Sequence, residues 1–204
     1  LDSFKWSALK PFILNELGSI AKDTNVSLLA VSDGPHADEL RSICKSLNIQ
    51  LEITGFLPNE EARSRLVKCV DLAVAMGTSA LDLAAEGIPC LIIDPSLRAI
   101  NKPQAAYHFV HEIDDYTLGE FRDFPTYRAT GRPFVSAISD LNSEAIGQKD
   151  REYVSLNHDP ARIFSELQSR IQSSELTVER LEGIVRQINH SFSSKASLFG
   201  LRHR

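Results

Sequence analysis

Strand-like and helix-like segments alternate along the chain from residue 6 to residue 94, and this alternation limits the possible folds more than any other feature. Short connections between alternating strands and helices are typical of a parallel sheet with helices on both faces. Three of the strand-like segments are almost wholly apolar, which favours strands that are buried on both sides. We therefore predict an α/β, Rossmann-like domain with strands at residues 26–32, 50–54, 70–76 and 88–94 and helices at residues 6–22, 40–47, 60–68 and 78–86.

The second half of the chain has a weaker pattern. Residues 95–150 carry many aromatic residues and turn signals but no clear periodicity, so no elements are predicted there. Residues 152–156 are predicted as a final strand. Asp159 suits a helix N-cap and Pro160 a first helical position, which predicts helices over residues 160–173 and 177–188.

Composition excludes several functional classes. The net charge of −5 argues against a protein whose main task is to neutralise nucleic-acid phosphates. No apolar run approaches the roughly 18 residues of a transmembrane helix. Three cysteines without C-x-x-C spacing favour free thiols in a reducing cytosol, which predicts a cytoplasmic protein. Peripheral attachment to the inner face of a membrane is left open.

Five short motifs follow one another in the first half of the chain: LDSFK at residues 1–5, SDGP at 32–35, TGFLP at 54–58, VDLAVA at 70–75 and GTSALDLAAEGIP at 77–89. Together they resemble the C-terminal, donor-binding domain of GT-B glycosyltransferases, most closely the retaining family 4. The resemblance implies one half of a GT-B fold, here a donor-binding domain over residues 1–191 that includes the family-atypical segment 95–150. It also implies a fragment whose N-terminal acceptor domain is missing. Residues 192–204 are expected to form a loosely held tail.

The resemblance implies an enzyme that transfers a sugar from a nucleotide-diphosphate sugar to an acceptor, with surface polysaccharide synthesis as the commonest setting. The implied partners are the nucleotide-sugar donor and, through the missing domain, an acceptor glycan or lipid-linked sugar. No cofactor is implied besides the substrate. The chain alone is expected to bind donor without catalysing transfer, so no catalytic residue is assigned.

The turn Gly77-Thr78-Ser79 is the main candidate for a phosphate site. It opens a predicted helix directly after a predicted strand, where free backbone N–H groups, two hydroxyls and a glycine suit a diphosphate. The resemblance places the donor diphosphate there. The alternative is that Ser79 only caps the helix, with Asp82 completing a capping box.

Two charged residues are carried over from the family's pattern. Asp82 stands where the family has a glutamate that binds the ribose hydroxyls, although aspartate is one methylene shorter. Lys5 matches a lysine that pairs with the donor phosphates, and the arginine that accompanies it would precede Leu1. A capping role for Asp82 and a solvated role for Lys5 remain open alternatives.

Two turns complete the predicted donor site. The resemblance implies that Gly34 and Pro35 pass near the phosphates and that Gly55, Phe56 and Leu57 offer backbone groups and an apolar wall to the base. Purely structural turns explain both motifs equally well.

One departure from the family bears on activity. The family has an acid eight residues before its ribose-binding glutamate, and here that position is Val74. This favours an alternative in which the chain is a degenerate GT-B domain that serves as an assembly or regulatory module. A sugar-nucleotide 2-epimerase is a further alternative, although its catalytic acids and histidine cannot be located. His108 and His111, with Glu112, could bring two imidazoles to one helix face, but no third ligand has a recognisable spacing, so no metal site is predicted.

Overall fold

The computed structural model describes residues 3–31, 34–55, 59–113, 117–139 and 141–174. The chain divides into two compact units, Leu1–His158 and Asp159–Arg204. Within the described part of the chain, no helix is both long enough and apolar enough to cross a membrane.

The first unit begins with a continuous helical stretch whose winding changes midway. α1 (Ser3–Pro11) leads into a π-helical turn at Phe12–Leu17, and α2 (Gly18–Ile20) completes the stretch. The side-chain amide of Asn15 donates to the carbonyl of Pro11 at 2.7 Å, which satisfies an acceptor where the winding widens. The helix predicted over residues 6–22 is therefore confirmed, and its apolar residues Trp6, Phe12 and Ile13 lie in the core.

Strands and helices then alternate as the sequence predicts. The order is β1 (Ser27–Ala30), α3 (Ala37–Ser46), β2 (Gln50–Ile53), α4 (Asn59–Cys69), β3 (Ala73–Ala75), α5 (Thr78–Ala85) and β4 (Cys90–Ile92). β1 pairs with β2 and β3 pairs with β4, both in parallel. The α/β class and the parallel pairing are confirmed. The strands are shorter than predicted, and among the described residues they form two separate two-stranded sheets.

β4 lies between two clusters of buried apolar residues. Leu91 belongs to a cluster with Phe12, Leu40 and Tyr107, whereas Cys90 and Ile92 belong to a cluster with Ala80 and Ala84 of α5. Successive residues of a strand point to opposite faces, so both faces of β4 are covered. This agrees with the almost wholly apolar sequence of the strand.

The described residues between β4 and residue 133 are mostly irregular, apart from a 3₁₀ turn at Val110–Glu112. Two helices follow, α6 (Phe134–Ser139) and α7 (Ser143–Asn157). The strand predicted over residues 152–156 is wrong, because these residues form the last turns of α7. Asn142 caps the helix by accepting from the N–H of Ala145 at 3.1 Å. The helix therefore begins well before the residues that resemble a strand.

The described part of the second unit is one helix, α8 (Pro160–Ser173). Asp159 caps it by accepting from the N–H of Ala161 at 3.0 Å, and Pro160 occupies the first turn. Both features confirm the prediction for this helix. All of its residues are exposed, including the apolar Ile163, Phe164, Leu167 and Ile171. The helix predicted over residues 177–188 and the tail over 192–204 lie outside the described residues.

Candidate functional site

The turn between β3 and α5 has the geometry of an open helix start. Gly77 is the N-cap of α5 and has φ 61° and ψ −147°, a conformation that is essentially restricted to glycine. Its N–H donates to the carbonyl of Leu118 at 2.9 Å, and its own carbonyl accepts from Ala80 at 3.0 Å. No side chain caps the helix among the residues described. Ser79 is the second residue of α5, so the alternative in which Ser79 is the N-cap is wrong.

The first two helical residues, Thr78 and Ser79, are both exposed. Their backbone N–H groups precede the first N–H that finds an acceptor within the helix. A Cβ built on Gly77 would contact no atom within 4 Å, so the space in front of the turn is open. The turn therefore leaves backbone donors next to open space, and the two residues that follow Gly77 carry exposed hydroxyl side chains. Asp82 is exposed on the next turn of α5.

The start of α1 lies against two of the loops at the strand ends. Phe4 packs against Phe121 with the ring centroids 5.6 Å apart. Trp6 stacks on His36, next to Gly34 and Pro35, at a centroid distance of 5.4 Å. Lys5, between the two aromatic residues, is exposed.

The remaining predicted residues lie at the end of β2. Gly55 follows the strand with φ 70° and has open space beside it. Phe56 and Leu57, the predicted base wall, lie outside the described residues. Gly34, after β1, has φ 142°, so the three turns predicted to carry the site each contain a glycine with positive φ.

The sequence did not indicate that residues 117–127 would cover the carboxyl end of β4. We call this stretch the covering segment. Asp94, two residues after β4, holds it at two points, accepting from the N–H of Glu120 at 3.0 Å and from the hydroxyl of Tyr127 at 2.8 Å. Asp123 ties the same segment back to the chain by accepting from Ser96 Oγ at 3.0 Å.

Burial raises the pKa of both Asp94 and Tyr127, the two side chains that bond to each other at the covering segment. Burial raises the pKa of Asp94, and the bonds from Glu120 and Tyr127 oppose that shift in part. Burial also raises the pKa of Tyr127, and the negative acceptor on Asp94 raises it further. The hydroxyl of Tyr127 therefore stays protonated and acts as the donor in this bond.

The covering segment borders an open cleft of about 340 Å³. The cleft is lined by Gly119, Glu120, Phe121, Phe124, Thr126 and Tyr127. A second cavity, of about 550 Å³, lies along α3 and β2, and none of the predicted site residues lines it. The carbonyl of Leu118 accepts from the N–H of Gly77, and the next residue, Gly119, lines the first cleft.

The two histidines of residues 108–112 (HFVHE) contact different partners. His108 Nε2 lies 2.9 Å from Thr130 Oγ1, whereas His111 Nδ1 lies 2.6 Å from Asp150 Oδ1. Glu112 pairs with Arg132. Within the described ranges, no group of three or more His, Cys, Asp or Glu residues is placed to hold a metal ion.

Comparison with known proteins gives no family assignment. No protein-family model matches this sequence. A search of curated proteins likewise finds no match.

Proposed function

We propose that this chain is the donor-binding domain of a GT-B glycosyltransferase and that it binds the diphosphate of a nucleotide sugar at Gly77–Ser79. The observation that carries the proposal is the open start of α5, where exposed donors follow a glycine with positive φ at the end of a parallel strand. Ligands of α/β proteins bind beyond the carboxyl ends of parallel strands. The parallel pairs β1–β2 and β3–β4 support the α/β class to which a GT-B half belongs.

A diphosphate matches the donors that the turn presents. The N–H groups of Thr78 and Ser79 point out of the helix start, where the helix dipole favours an anion by roughly 0.3–1 kcal/mol. The two hydroxyl groups add neutral donors, and the missing side chain of Gly77 leaves room for close approach. Lys5 supplies a positive charge on the helix that packs against the covering segment.

The same contacts have a role in transfer. When the bond between sugar and phosphate breaks, negative charge grows on the nucleotide, and donors already held in place stabilise it. The turn would therefore promote departure of the nucleotide in the intact enzyme. The acceptor, a glycan or lipid-linked sugar, would be bound by another domain.

Calorimetric titration of the 204-residue chain with UDP, GDP and ADP tests the proposal. We expect saturable binding of one of the three nucleotides. Ser79→Ala removes one hydroxyl donor and is expected to weaken this binding about fivefold, as for the loss of about 1 kcal/mol. Asp82→Ala is expected to weaken it as well.

Ser42→Ala provides a matched control, because Ser42 is an exposed serine on α3. This variant is expected to bind the nucleotide as tightly as the wild type. If none of the three nucleotides binds at millimolar concentration, the proposal is wrong. Binding that Ser79→Ala and Asp82→Ala leave unchanged would place the nucleotide elsewhere.

One observation favours a second candidate function, a degenerate domain that serves as an assembly or regulatory module. Val74 lies in β3 and packs against the hydrophobic core, at the position where the family has its sugar-contacting acid. The nucleotide titration separates the two functions, since a degenerate module has no reason to retain affinity for the donor.

A further inference from the structure

We propose that the cleft of the covering segment binds the sugar group of the donor and that it selects an uncharged hexose over a uronic acid. This inference rests on the proposed function, because it takes the diphosphate at Gly77–Ser79 as its fixed point. It concerns residues of the segment for which the sequence predicted no role.

The position of the cleft supports this assignment. Gly77 donates to the carbonyl of Leu118, and the next two residues, Gly119 and Glu120, line the cleft. A group attached directly to a phosphate at the turn would therefore reach the cleft. The volume of about 340 Å³ is near the lower limit of about 300 Å³ for small-molecule sites, which suits a single ring.

The aromatic lining suits the apolar face of a sugar ring. Phe121 and Phe124 pack with their ring centroids 5.4 Å apart in a tilted arrangement, and Tyr127 lines the same cleft. Phe124 leaves 55% of its surface exposed. A pyranose presents C–H groups on its faces and hydroxyl groups around its rim, so an exposed aromatic ring can cover one face while polar groups meet the rim.

The polar lining is acidic. Glu120 is exposed and its carboxylate can accept from ring hydroxyl groups, while the hydroxyls of Thr126 and Tyr127 are further polar contacts. Arg122 of the same segment does not line the cleft, and it donates to the carbonyls of Lys102 and Pro103. A uronic acid would bring a second carboxylate beside that of Glu120, and like charges at short range repel one another. The lining therefore disfavours the charged sugar.

The assignment is tested by comparing the affinity of a nucleoside diphosphate with the affinities of its sugar esters. The probes are the nucleotide that binds in the titration above, its glucose, galactose and mannose esters, and its glucuronate ester. We expect at least one neutral ester to bind about fivefold or more tightly than the nucleoside diphosphate. The glucuronate ester is expected to bind at least about tenfold more weakly than that neutral ester.

Two variants connect these differences to the cleft. Phe124→Ala is expected to remove the gain from the neutral sugar without changing the affinity for the nucleoside diphosphate. Glu120→Gln is expected to narrow the gap between the neutral and the glucuronate ester. Val135→Ala is the matched control, since Val135 is exposed to a similar extent, 54%, on α6 and does not line the cleft.

Each contrary result has a separate meaning. If the nucleoside diphosphate binds but no neutral ester binds more tightly, the assignment of the cleft is wrong while the proposed function stands. If Phe124→Ala weakens the nucleoside diphosphate and its esters by the same factor, the cleft holds the nucleoside and the assignment is wrong. If no nucleotide binds, the proposed function fails and this inference fails with it.

Discussion

The two ends of β4 each meet a carboxyl group, and the two groups have very different surroundings. At the amino end, Asp150 of α7 is fully buried and accepts from the backbone N–H groups of Cys90 and His111, both at 2.9 Å, and from His111 Nδ1 at 2.6 Å. At the carboxyl end, Asp94 is only partly buried and holds a surface segment that borders an open cleft.

The difference is that the amino end of β4 is packed on all sides of its carboxyl group, whereas the carboxyl end borders a cleft. The donors to Asp150 come from Cys90 and His111, and these bonds join α7, β4 and the 3₁₀ turn into one packed region. The donors that face Asp94 instead position Glu120 and Tyr127, which line a cleft. Substitutions at the amino end should therefore reduce stability, and those at the carboxyl end should mainly change binding.

The largest expected effect is at Asp150. Asp150→Ala leaves the buried N–H groups of Cys90 and His111 without their acceptor, so we expect a loss of about 3 kcal/mol in the free energy of unfolding. Urea unfolding of the first unit at pH 7, followed by circular dichroism, measures it. Glu152→Ala removes an exposed carboxylate from the same helix and should cost less than about 0.5 kcal/mol. A loss below about 1 kcal/mol for Asp150→Ala would contradict the comparison.

A second test at the amino end of β4 uses the close contact between Gly147 and Gly87. A Cβ on Gly147 of α7 would collide with the carbonyl oxygen of Gly87. Gly147→Ala should therefore cost about 2 kcal/mol, although the same change inside an ordinary helix stabilises by roughly 0.5–1 kcal/mol. The measurement is again the urea midpoint, with Lys149→Ala on the exposed face of α7 as the control. A stabilised Gly147→Ala variant would show that α7 does not pack this closely.

The smallest expected effect is a change in pH dependence at Asp94. Burial raises the pKa of this carboxyl above its ordinary value of 3.8, so the folded state holds the proton more tightly than the unfolded state. Stability from this group is present below pH 3.8 and is lost as the pH rises through the folded pKa. Relative to Asp94→Asn, the wild type should therefore become less stable between about pH 4 and pH 7.

Urea midpoints across that range measure the effect at Asp94. Asp71→Asn removes a negative charge from an exposed position and separates the effect of burial from that of net charge. If the urea midpoints of the wild type and Asp94→Asn change with pH in parallel, Asp94 is better solvated than its position indicates.

The parts of the fold that the sequence predicted correctly depend on local signals. Asp159 and Pro160 mark the start of α8 because a cap and a proline act within one turn. The apolar run around β4 predicted a strand covered on both faces, since burial of every residue leaves no alternation in the sequence. The position of the Gly77 turn followed from the same local order of strand and helix.

The parts that the sequence did not predict depend on contacts between distant residues. Asp150 interrupts the apolar face of α7, and its polarity is explained by its bonds to Cys90 and His111, 60 and 39 positions away. Residues 152–156 therefore looked like a separate strand. The covering segment likewise has no periodicity of its own, because Asp94 and the N–H of Gly77 determine where it lies.

The packing of Trp6 gives the molecule a built-in optical reporter. Trp6 is the single tryptophan of the chain. It is 5% exposed, its indole N–H donates to Glu39 at 2.8 Å, and its ring stacks on His36. A buried indole emits at shorter wavelength than one in water, and a charged imidazole in contact with it quenches the emission. The fluorescence of this one residue therefore reports, without any label, whether the start of α1 is seated on the turn that follows β1.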